Sequence, residues 1–178
     1  IDTIDKVIQT FMEEGMRISG GEVLGKTIVF AMNTQHANAI VERFHVLYPQ
    51  LGPDYCKAIY SSINYAQTLI NEFGVPDNNF RIAVSVDMLD TGIDVPEICN
   101  LVFFKPVFSK IKFWQMIGRG TRVCEGLNVV SPARAYFESH EPIDPIIEER
   151  KDKQGFYIFD FCNVFEFFRM HPDGRVAD

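Results

Sequence analysis

The chain has 178 residues and a formal net charge of −7, and 47% of its residues are hydrophobic. This composition is ordinary for one globular domain, and no apolar run is long enough to span a membrane. The net acidity disfavours nucleic-acid binding by the whole surface and restricts any such contact to a local strip. The four cysteines form no CxxC pair, which disfavours a zinc site and favours reduced thiols in a cytoplasmic protein. Because the first residue is Ile rather than Met, we expect a piece of a longer protein.

Apolar residues at helical spacing predict an amphipathic helix over residues 3–14. The sequence GGEVLGKT at residues 20–27 then matches the phosphate-loop pattern GxxxxGKT. A working phosphate loop needs a strand before it and a helix after it, so that the helix N-terminus meets the phosphates. Here a helix precedes the pattern and a strand follows it. We therefore disfavour a phosphate loop and expect Lys26 on a loop where the next strand begins.

Strands and helices alternate along the rest of the chain. Apolar periodicity and capping residues predict the following order: strand 27–31, a helix capped by Asn33 or Thr34, strand 56–60, a helix with Ala66, Leu69, Ile70 and Phe73 on one face, strands 82–86 and 101–104, a helix capped by Ser109, strand 156–161 and helix 164–170. This order predicts an α/β fold with a doubly wound, mainly parallel sheet and helices on both faces. We expect Phe165 and Phe168 to pack onto the sheet. Function in such folds gathers where strands end, here at residues 33–34, 61–62 and 87–94.

The segment from residue 105 to residue 122 carries five basic residues and no acidic one, against the negative charge of the whole chain. If the helix continued through this segment, Gln115, Gly118, Arg119 and Arg122 would share one face. Arginine meets phosphate bidentately and keeps its charge. The pattern therefore favours binding of a polyanion.

Two motifs carry a family resemblance. Residues 115–122, QMIGRGTR, resemble motif VI of superfamily-two helicases and translocases, and residues 90–96, DTGIDVP, resemble their motif V. The surrounding sequence, over about residues 25–168, is similar to the motor subunit of type I restriction enzymes. The resemblance implies that residues 1–178 form the second RecA-like motor domain of such a protein. Residues 128–155 do not match the family pattern, and we treat them as an atypical loop or insertion without an assigned role.

The resemblance also implies roles for individual residues. Arg122 is the first choice for an arginine finger and Arg119 the second, while Gln115 would sense the γ-phosphate or the attacking water. The implied nucleotide-binding residues are Gly92, Asp94 and Gly118, with Asp94 holding the ribose or orienting an arginine. The implied DNA-binding residues are Thr91 of motif V, Asn33 and Thr34 of the motif IV turn, and Ser61. Simple helix capping is an alternative role for Thr34.

In this interpretation ATP and Mg²⁺ are bound mainly by a first motor domain outside the chain. The implied partners are double-stranded DNA, the first RecA-like domain of the same protein, and the methylation and specificity subunits of a restriction complex. No membrane partner is expected. The isolated domain should not hydrolyse ATP, because it would supply only one wall of the site.

Three alternatives stay open. The same fold would serve a repair, replication-restart or RNA helicase, although the sequence around the motifs disfavours the RNA-specific families. A stand-alone nucleotide-binding module would use residues 20–27. A nuclease would use Pro53-Asp54 with the Glu-Arg-Lys run at residues 149–151, but this separation is long for one compact metal site.

Overall fold

A computed structural model describes residues 2–89, 93–130 and 152–175. Within these ranges the strands are Arg17–Ile18 (β1), Val23–Leu24 (β2), Lys26–Ala31 (β3), Cys56–Tyr60 (β4), Ile82–Val86 (β5), Ile98–Phe104 (β6) and Tyr157–Asp160 (β7). β1 and β2 form a short antiparallel pair. The other five strands form one parallel sheet in the order β4-β5-β3-β6-β7. The predicted parallel sheet is therefore confirmed.

The described helices are Asp2–Glu14 (α1), Thr34–Leu47 (α2), Ala66–Phe73 (α3), Lys110–Ile117 (α4) and Val164–Met170 (α5). Short 3-10 turns occupy Ser19–Gly21 and Pro49–Leu51. In the part of the chain that the structure describes, no helix combines the length and apolarity needed to cross a membrane. The sequence located each of these five helices, with the largest error at the end of α4.

The sheet is covered on both faces, as the doubly wound prediction requires. Phe11 of α1 and Phe44 of α2 belong to one buried cluster with alternate strand residues such as Val29 and Val102. Phe73 of α3 lies in the opposite cluster, where the intervening strand residues point. Successive strand side chains point to opposite faces, so each central strand contributes to both cores.

The aromatic helix α5 packs onto the second face. The ring of Phe168 lies 4.5 Å from that of Phe113 on α4, and the ring of Phe165 lies 6.3 Å from that of Phe103 on β6. The predicted packing of Phe165 and Phe168 is thus confirmed. Because the five strands are parallel, the residues that follow β3, β4, β5 and β6 meet at one edge of the sheet, which we call the carboxyl edge.

Candidate functional site

Three predicted DNA-binding residues lie at the carboxyl edge. Asn33 follows β3, and its side-chain oxygen accepts a hydrogen bond of 2.8 Å from the backbone N–H of His36, so Asn33 is the N-cap of α2. Thr34 is the first residue of α2, and Ser61 is exposed directly after β4. The cap commits the side-chain oxygen of Asn33 to the helix. Of the two residues considered as caps of this helix, Asn33 is therefore the N-cap and Thr34 is not.

A charged cluster that the sequence did not reveal occupies the same edge. Asp87 follows β5 in a left-handed conformation, with φ of 55°. Its carboxylate accepts hydrogen bonds from Lys112 of α4 at 2.7 Å and from Lys105, which follows β6, at 2.9 Å. The bonds to Lys112 and Lys105 lower the pKa of Asp87 from 3.8 to about 2. Asp87 thus ties the ends of two strands to the start of α4.

The loop between β5 and β6 crosses from one edge of the sheet to the other. Both strands are parallel, so the chain must return from the carboxyl end of β5 to the amino end of β6. Asp87 lies on the outgoing side, whereas Asp94 lies four residues before β6 begins. The expectation that residues 87–94 all fall at the carboxyl edge is therefore wrong for Asp94.

Arg119 fastens the returning part of this loop to the end of α4. Its Nη1 donates to the backbone carbonyl of Ile93, and its Nε donates to the carbonyl of Gln115 at 3.1 Å. The side chain is half-buried. At least two N–H donors of the Arg119 guanidinium therefore stabilise the fold, at the residue next to Asp94.

Arg122 and Asp94 form an ion pair. The Nη1 atom of Arg122 lies 2.8 Å from the Oδ2 atom of Asp94, and the two side chains are 59% and 62% exposed. The structure thus brings Asp94, Arg119 and Arg122 together. They form a group distinct from the carboxyl-edge residues, and we call these three residues the arginine cluster.

The predicted single helical face is wrong, because α4 ends at Ile117 and Gly118 is its C-cap. The backbone N–H groups of Arg119 and Gly120 bond to the third carbonyl before them, at 3.1 Å each, which tightens and closes the helix. Gly120 fits there because a Cβ at this position would lie 2.4 Å from the ring of Phe156. Arg122 therefore sits on a non-helical segment, and Gln115 remains on α4.

Lysine 153 was also missed by the sequence analysis. Its side chain is 1% exposed, and its ammonium donates to the backbone carbonyls of Gly120, at 2.8 Å, and of Arg122. Both partners lie more than thirty residues before Lys153 in the chain. No local pattern could have revealed this contact.

The phosphate-loop pattern does not form a phosphate loop. Its Lys26 begins β3 with no exposed surface, and the ammonium donates to the carbonyls of Phe73 and Val75 at the end of α3. Burial lowers the pKa of Lys26 to about 8. No helix follows the pattern, since β3 does. This geometry removes the stand-alone nucleotide-binding module, and it places Lys26 in the strand rather than in the predicted loop.

Several predictions fall outside the described residues. These are the assignments to Thr91 and Gly92, most of the segment 128–155, and the Glu-Arg-Lys run of the nuclease alternative. Asp54 of that alternative forms an ion pair of 3.1 Å with Lys57. The described ranges contain no group of three or more His, Cys, Asp or Glu side chains that could hold a metal ion.

All four cysteines are described as free thiols. Burial raises the pKa of each of them, and that of Cys99 reaches about 12. Burial thus disfavours the thiolate, which is the nucleophilic form of cysteine.

The chain is similar to known proteins over much of its length. The family model described as "Helicase conserved C-terminal domain" matches residues 7–124. The endonuclease subunit of the type I restriction enzyme EcoKI from Escherichia coli K12 is 40% identical over 114 residues, which are 60% of this chain and 10% of that protein. The "Putative mitochondrial ATP-dependent helicase irc3" of Schizosaccharomyces pombe is 33% identical over 153 residues, which are 85% of this chain and 20% of that protein.

A solved structure shares the fold. The fragment structure of a "putative HsdR subunit of a type I restriction enzyme" from Vibrio vulnificus superposes with a TM-score of 0.63 and 24% identity, covering 90% of this chain and 26% of that one. The C-terminal domain of the DEAD-box protein Dbp5 also superposes, with a TM-score of 0.55 and 14% identity, covering 98% of this chain and 82% of that one. Together with the parallel sheet order, these similarities confirm the RecA-like doubly wound fold. The chain spans one fifth or less of the lengths of the two curated relatives.

Proposed function

This chain belongs to the family of helicase conserved C-terminal domains, and from that premise we propose that it is the second motor domain of an ATP-dependent DNA translocase, in a protein similar to the motor subunit of type I restriction enzymes. The observation that carries the proposal is the arginine cluster. The exposed guanidinium of Arg122 lies on a non-helical segment and pairs with the carboxylate of Asp94, so it is accessible to a nucleotide bound on a facing domain. The similarity to an endonuclease subunit of a type I restriction enzyme supports the class of protein.

Arg122 supplies the finger in this proposal. Negative charge grows on the γ-phosphoryl oxygens as the terminal phosphate is transferred, and an arginine placed beside them lowers the barrier. Exposed ion pairs are weak because water screens both partners. The phosphate can therefore replace Asp94 as the partner of Arg122 when the two motor domains close. This exchange gives Asp94 the orienting role, one of the two roles that the sequence left open.

Arg119 supports the site from inside the fold. Its bonds to the carbonyls of Ile93 and Gln115 hold the loop that carries Asp94 against the end of α4. This is a reason to rank Arg122 before Arg119 as the finger. Gln115, on the last turn of α4, would sense the γ-phosphate or the attacking water, and Gly118 would let the nucleotide approach the helix end.

ATP and Mg²⁺ are proposed to bind mainly to a first motor domain. The buried Lys26 supports this division, because its ammonium is turned towards α3 and cannot reach a phosphate without unfolding the start of β3. The Mg²⁺ would bridge phosphate oxygens and neutralise their charge. We expect the isolated domain to be inactive as an ATPase for the same reason.

The carboxyl edge is proposed to follow the DNA backbone. Thr34 and Ser61 would donate hydrogen bonds to phosphates from this edge, with Asn33 fixing the start of α2. The hydroxyl of Thr91 and the backbone N–H of Gly92 would add phosphate contacts, as the motif V resemblance implies. Such contacts hold the protein on the duplex without reading sequence. Closure and opening of the two motor domains in each ATP cycle would then move this edge along the strand. Methylation and specificity subunits as partners, and a cytoplasmic location, belong to the same proposal.

A helicase outside restriction systems is the second candidate. The similarity to irc3 supports it, because that alignment covers more of the chain than the alignment with the restriction subunit does. A strand-separation assay distinguishes the two. A translocase of the restriction type should hydrolyse ATP and displace a bound oligonucleotide from duplex DNA without separating the duplex strands.

The finger is tested by Arg122→Ala in a protein that contains both motor domains. DNA-stimulated kcat should fall by about 10³-fold or more, because the lost interaction belongs to the transition state. The KM for ATP should change little. Arg169→Ala is the matched control, since Arg169 is also exposed and paired with a carboxylate, that of Glu166 at 2.6 Å, but lies on α5. If both variants turn over like the parent protein, Arg122 is not the finger.

A further inference from the structure

The buried ammonium of Lys153 is placed beside the main chain that carries Arg122. Lys153 lies four residues before β7 and beyond the part of the chain that matches the family model. Burial lowers the pKa of this side chain. A buried ammonium is costly unless hydrogen-bond acceptors replace its water. The contacts of the Lys153 ammonium must therefore compensate for the water that it loses on burial.

Those contacts converge on the segment between the end of α4 and Cys124. The ammonium donates to the carbonyl of Gly120 at 2.8 Å and to the carbonyl of Arg122. The backbone N–H of Lys153 donates to the carbonyl of Cys124 at 2.8 Å, and the N–H of Cys124 donates back at 3.1 Å. Three of the five residues from Gly120 to Cys124 are thus fixed by one lysine.

This segment lacks the regular bonds of a helix. Carbonyls that follow the last turn of a helix have no partner within it and must find one elsewhere. The ammonium and the carbonyls satisfy each other's hydrogen-bonding needs. Arg122 is therefore held at two points. Its backbone carbonyl accepts a hydrogen bond from Lys153, and its guanidinium donates to the carboxylate of Asp94.

We infer that Lys153 is a positioning residue for the arginine finger: it fixes the main chain of Arg122, and Asp94 orients the guanidinium. This inference rests on the proposed function of Arg122. A finger acts only when its guanidinium reaches the transferring phosphoryl group in the right geometry, and a misplacement of about 1 Å can cost about 10²-fold in rate. Lys153 acts through Arg122 and does not touch the nucleotide.

The test is a double-mutant cycle in a protein that contains both motor domains. Lys153→Met keeps an unbranched chain of similar length and removes the ammonium. DNA-stimulated kcat, measured per folded molecule, should fall roughly 10- to 100-fold, with the KM for ATP changed less than about threefold. In an Arg122→Ala background the same substitution should cost no further activity, because residues that act as one unit are not additive.

The matched control is Lys26→Met. Lys26 is also fully buried and also donates to two main-chain carbonyls, but these belong to Phe73 and Val75 at the end of α3. This variant should lose stability and keep its kcat per folded molecule. An equal loss of kcat in Lys26→Met and Lys153→Met would show a merely structural role and overturn the inference. A further loss when Lys153→Met is added to Arg122→Ala would overturn it as well.

Failure of the inference is distinguishable from failure of the proposed function. If Arg122→Ala alone keeps its rate, the finger assignment fails, and the positioning role of Lys153 fails with it. If Arg122→Ala loses its rate and Lys153→Met does not, only the positioning role fails. Should Lys153→Met not fold, Lys153→Gln, which retains an N–H donor, takes its place in the cycle. If neither variant folds, Lys153 serves the fold as a whole and the inference is overturned.

Discussion

The guanidinium of Arg122 and the carboxylate of Asp94 form an ion pair of 2.8 Å that joins the segment after α4 to the loop leading into β6. The two residues belong to different motifs, and the family resemblance implied two roles for Asp94, of which only one, orienting an arginine, would involve Arg122. The pair is the contact that the proposed orienting role of Asp94 requires. It also links the end of the β5–β6 loop to the residue proposed to enter the nucleotide site.

Asp94→Asn should separate the two roles proposed for this carboxylate. An orienting carboxylate acts on the finger, so its loss should lower DNA-stimulated kcat by roughly tenfold while the KM for ATP stays nearly constant. The loss should be smaller than in Arg122→Ala, because the guanidinium remains. A carboxylate that holds the ribose would instead raise the KM for ATP. Steady-state rates over a range of ATP concentrations decide between them.

Thr91→Ala should uncouple the motor from DNA. The expectation comes from the motif V resemblance, in which the hydroxyl and the neighbouring amide hold a phosphate of the strand. A lost hydrogen bond to a charged group is worth about 1.5–3 kcal/mol. DNA affinity and DNA stimulation of the ATPase should therefore fall together on unrelated DNA sequences, while the basal rate stays near normal. A collapse of the basal rate with unchanged DNA affinity would assign Thr91 to the nucleotide instead.

Lys26→Met should destabilise the protein without weakening ATP binding. The substitution leaves the carbonyls of Phe73 and Val75 without their buried donor, which costs about 1–3 kcal/mol in the free energy of unfolding. Chemical denaturation measures the loss, and nucleotide titration measures the affinity. A large fall in ATP affinity at unchanged stability would restore the phosphate-loop interpretation of residues 20–27.

The sequence predicted the sheet and the positions of the helices because each depends on local periodicity. The apolar run of β5 and the helical spacing of Leu69 and Phe73 are each visible within one element. The end of α4 was misjudged although Gly118, its C-cap, is a residue type that commonly ends a helix. The close approach of Gly120 to the ring of Phe156 could not be seen, because the two residues are far apart in the chain. Long-range contacts of this kind leave no periodic signal.

The sequence predicted which residues form the candidate site, but it predicted only part of the geometry of that site. Motif resemblance supplied Asp94, Arg119 and Arg122, which the structure brings together. The same resemblance could not supply Lys153, whose partners are more than thirty residues away. It also could not supply Asp87, because its role depends on Lys105 and Lys112 arriving from separate elements.

Asp87→Asn should remove a pH-dependent part of the stability. The pKa of Asp87 is lowered to about 2 in the fold, so its carboxylate stabilises the protein above the ordinary value of 3.8. That contribution is lost as the pH falls from 3.8 towards 2, because protonation breaks the bonds to Lys112 and Lys105. The difference in unfolding free energy between parent and variant should therefore be present at about pH 6 and fade by about pH 2. These two pH values bracket the range over which the carboxylate of Asp87 becomes protonated, which spans roughly two pH units.

Asparagine suits this test because it tolerates the left-handed backbone of Asp87. The effect should be modest, since the carboxylate is more than half exposed and solvent screens the pair. Asp173→Asn is the matched control, because it removes an exposed pair of 3.0 Å with Lys110. A difference that grows on acidification would contradict the assigned direction of the pKa.

Gly120→Ala should disturb both the stability and the arginine cluster. The added Cβ would lie 2.4 Å from the ring of Phe156, so either the ring or the segment that carries Arg122 must move. Overpacking of this kind typically costs about 1–3 kcal/mol in the free energy of unfolding. Movement of the segment should also lower DNA-stimulated kcat, with the KM for ATP little changed. Gly155→Ala is the matched control, because in the described part of the chain no atom other than those of its two neighbours lies within 4 Å of its added Cβ.

A second substitution tests whether the clash with Phe156 is the cause. Phe156→Leu replaces the planar ring with a smaller side chain, so Gly120→Ala should cost less stability in that background than in the parent protein. The kcat lost in Gly120→Ala should return in part when the two substitutions are combined, since the segment can then return to its place. If the two substitutions are additive in both stability and kcat, Gly120 is required for a reason other than its contact with Phe156.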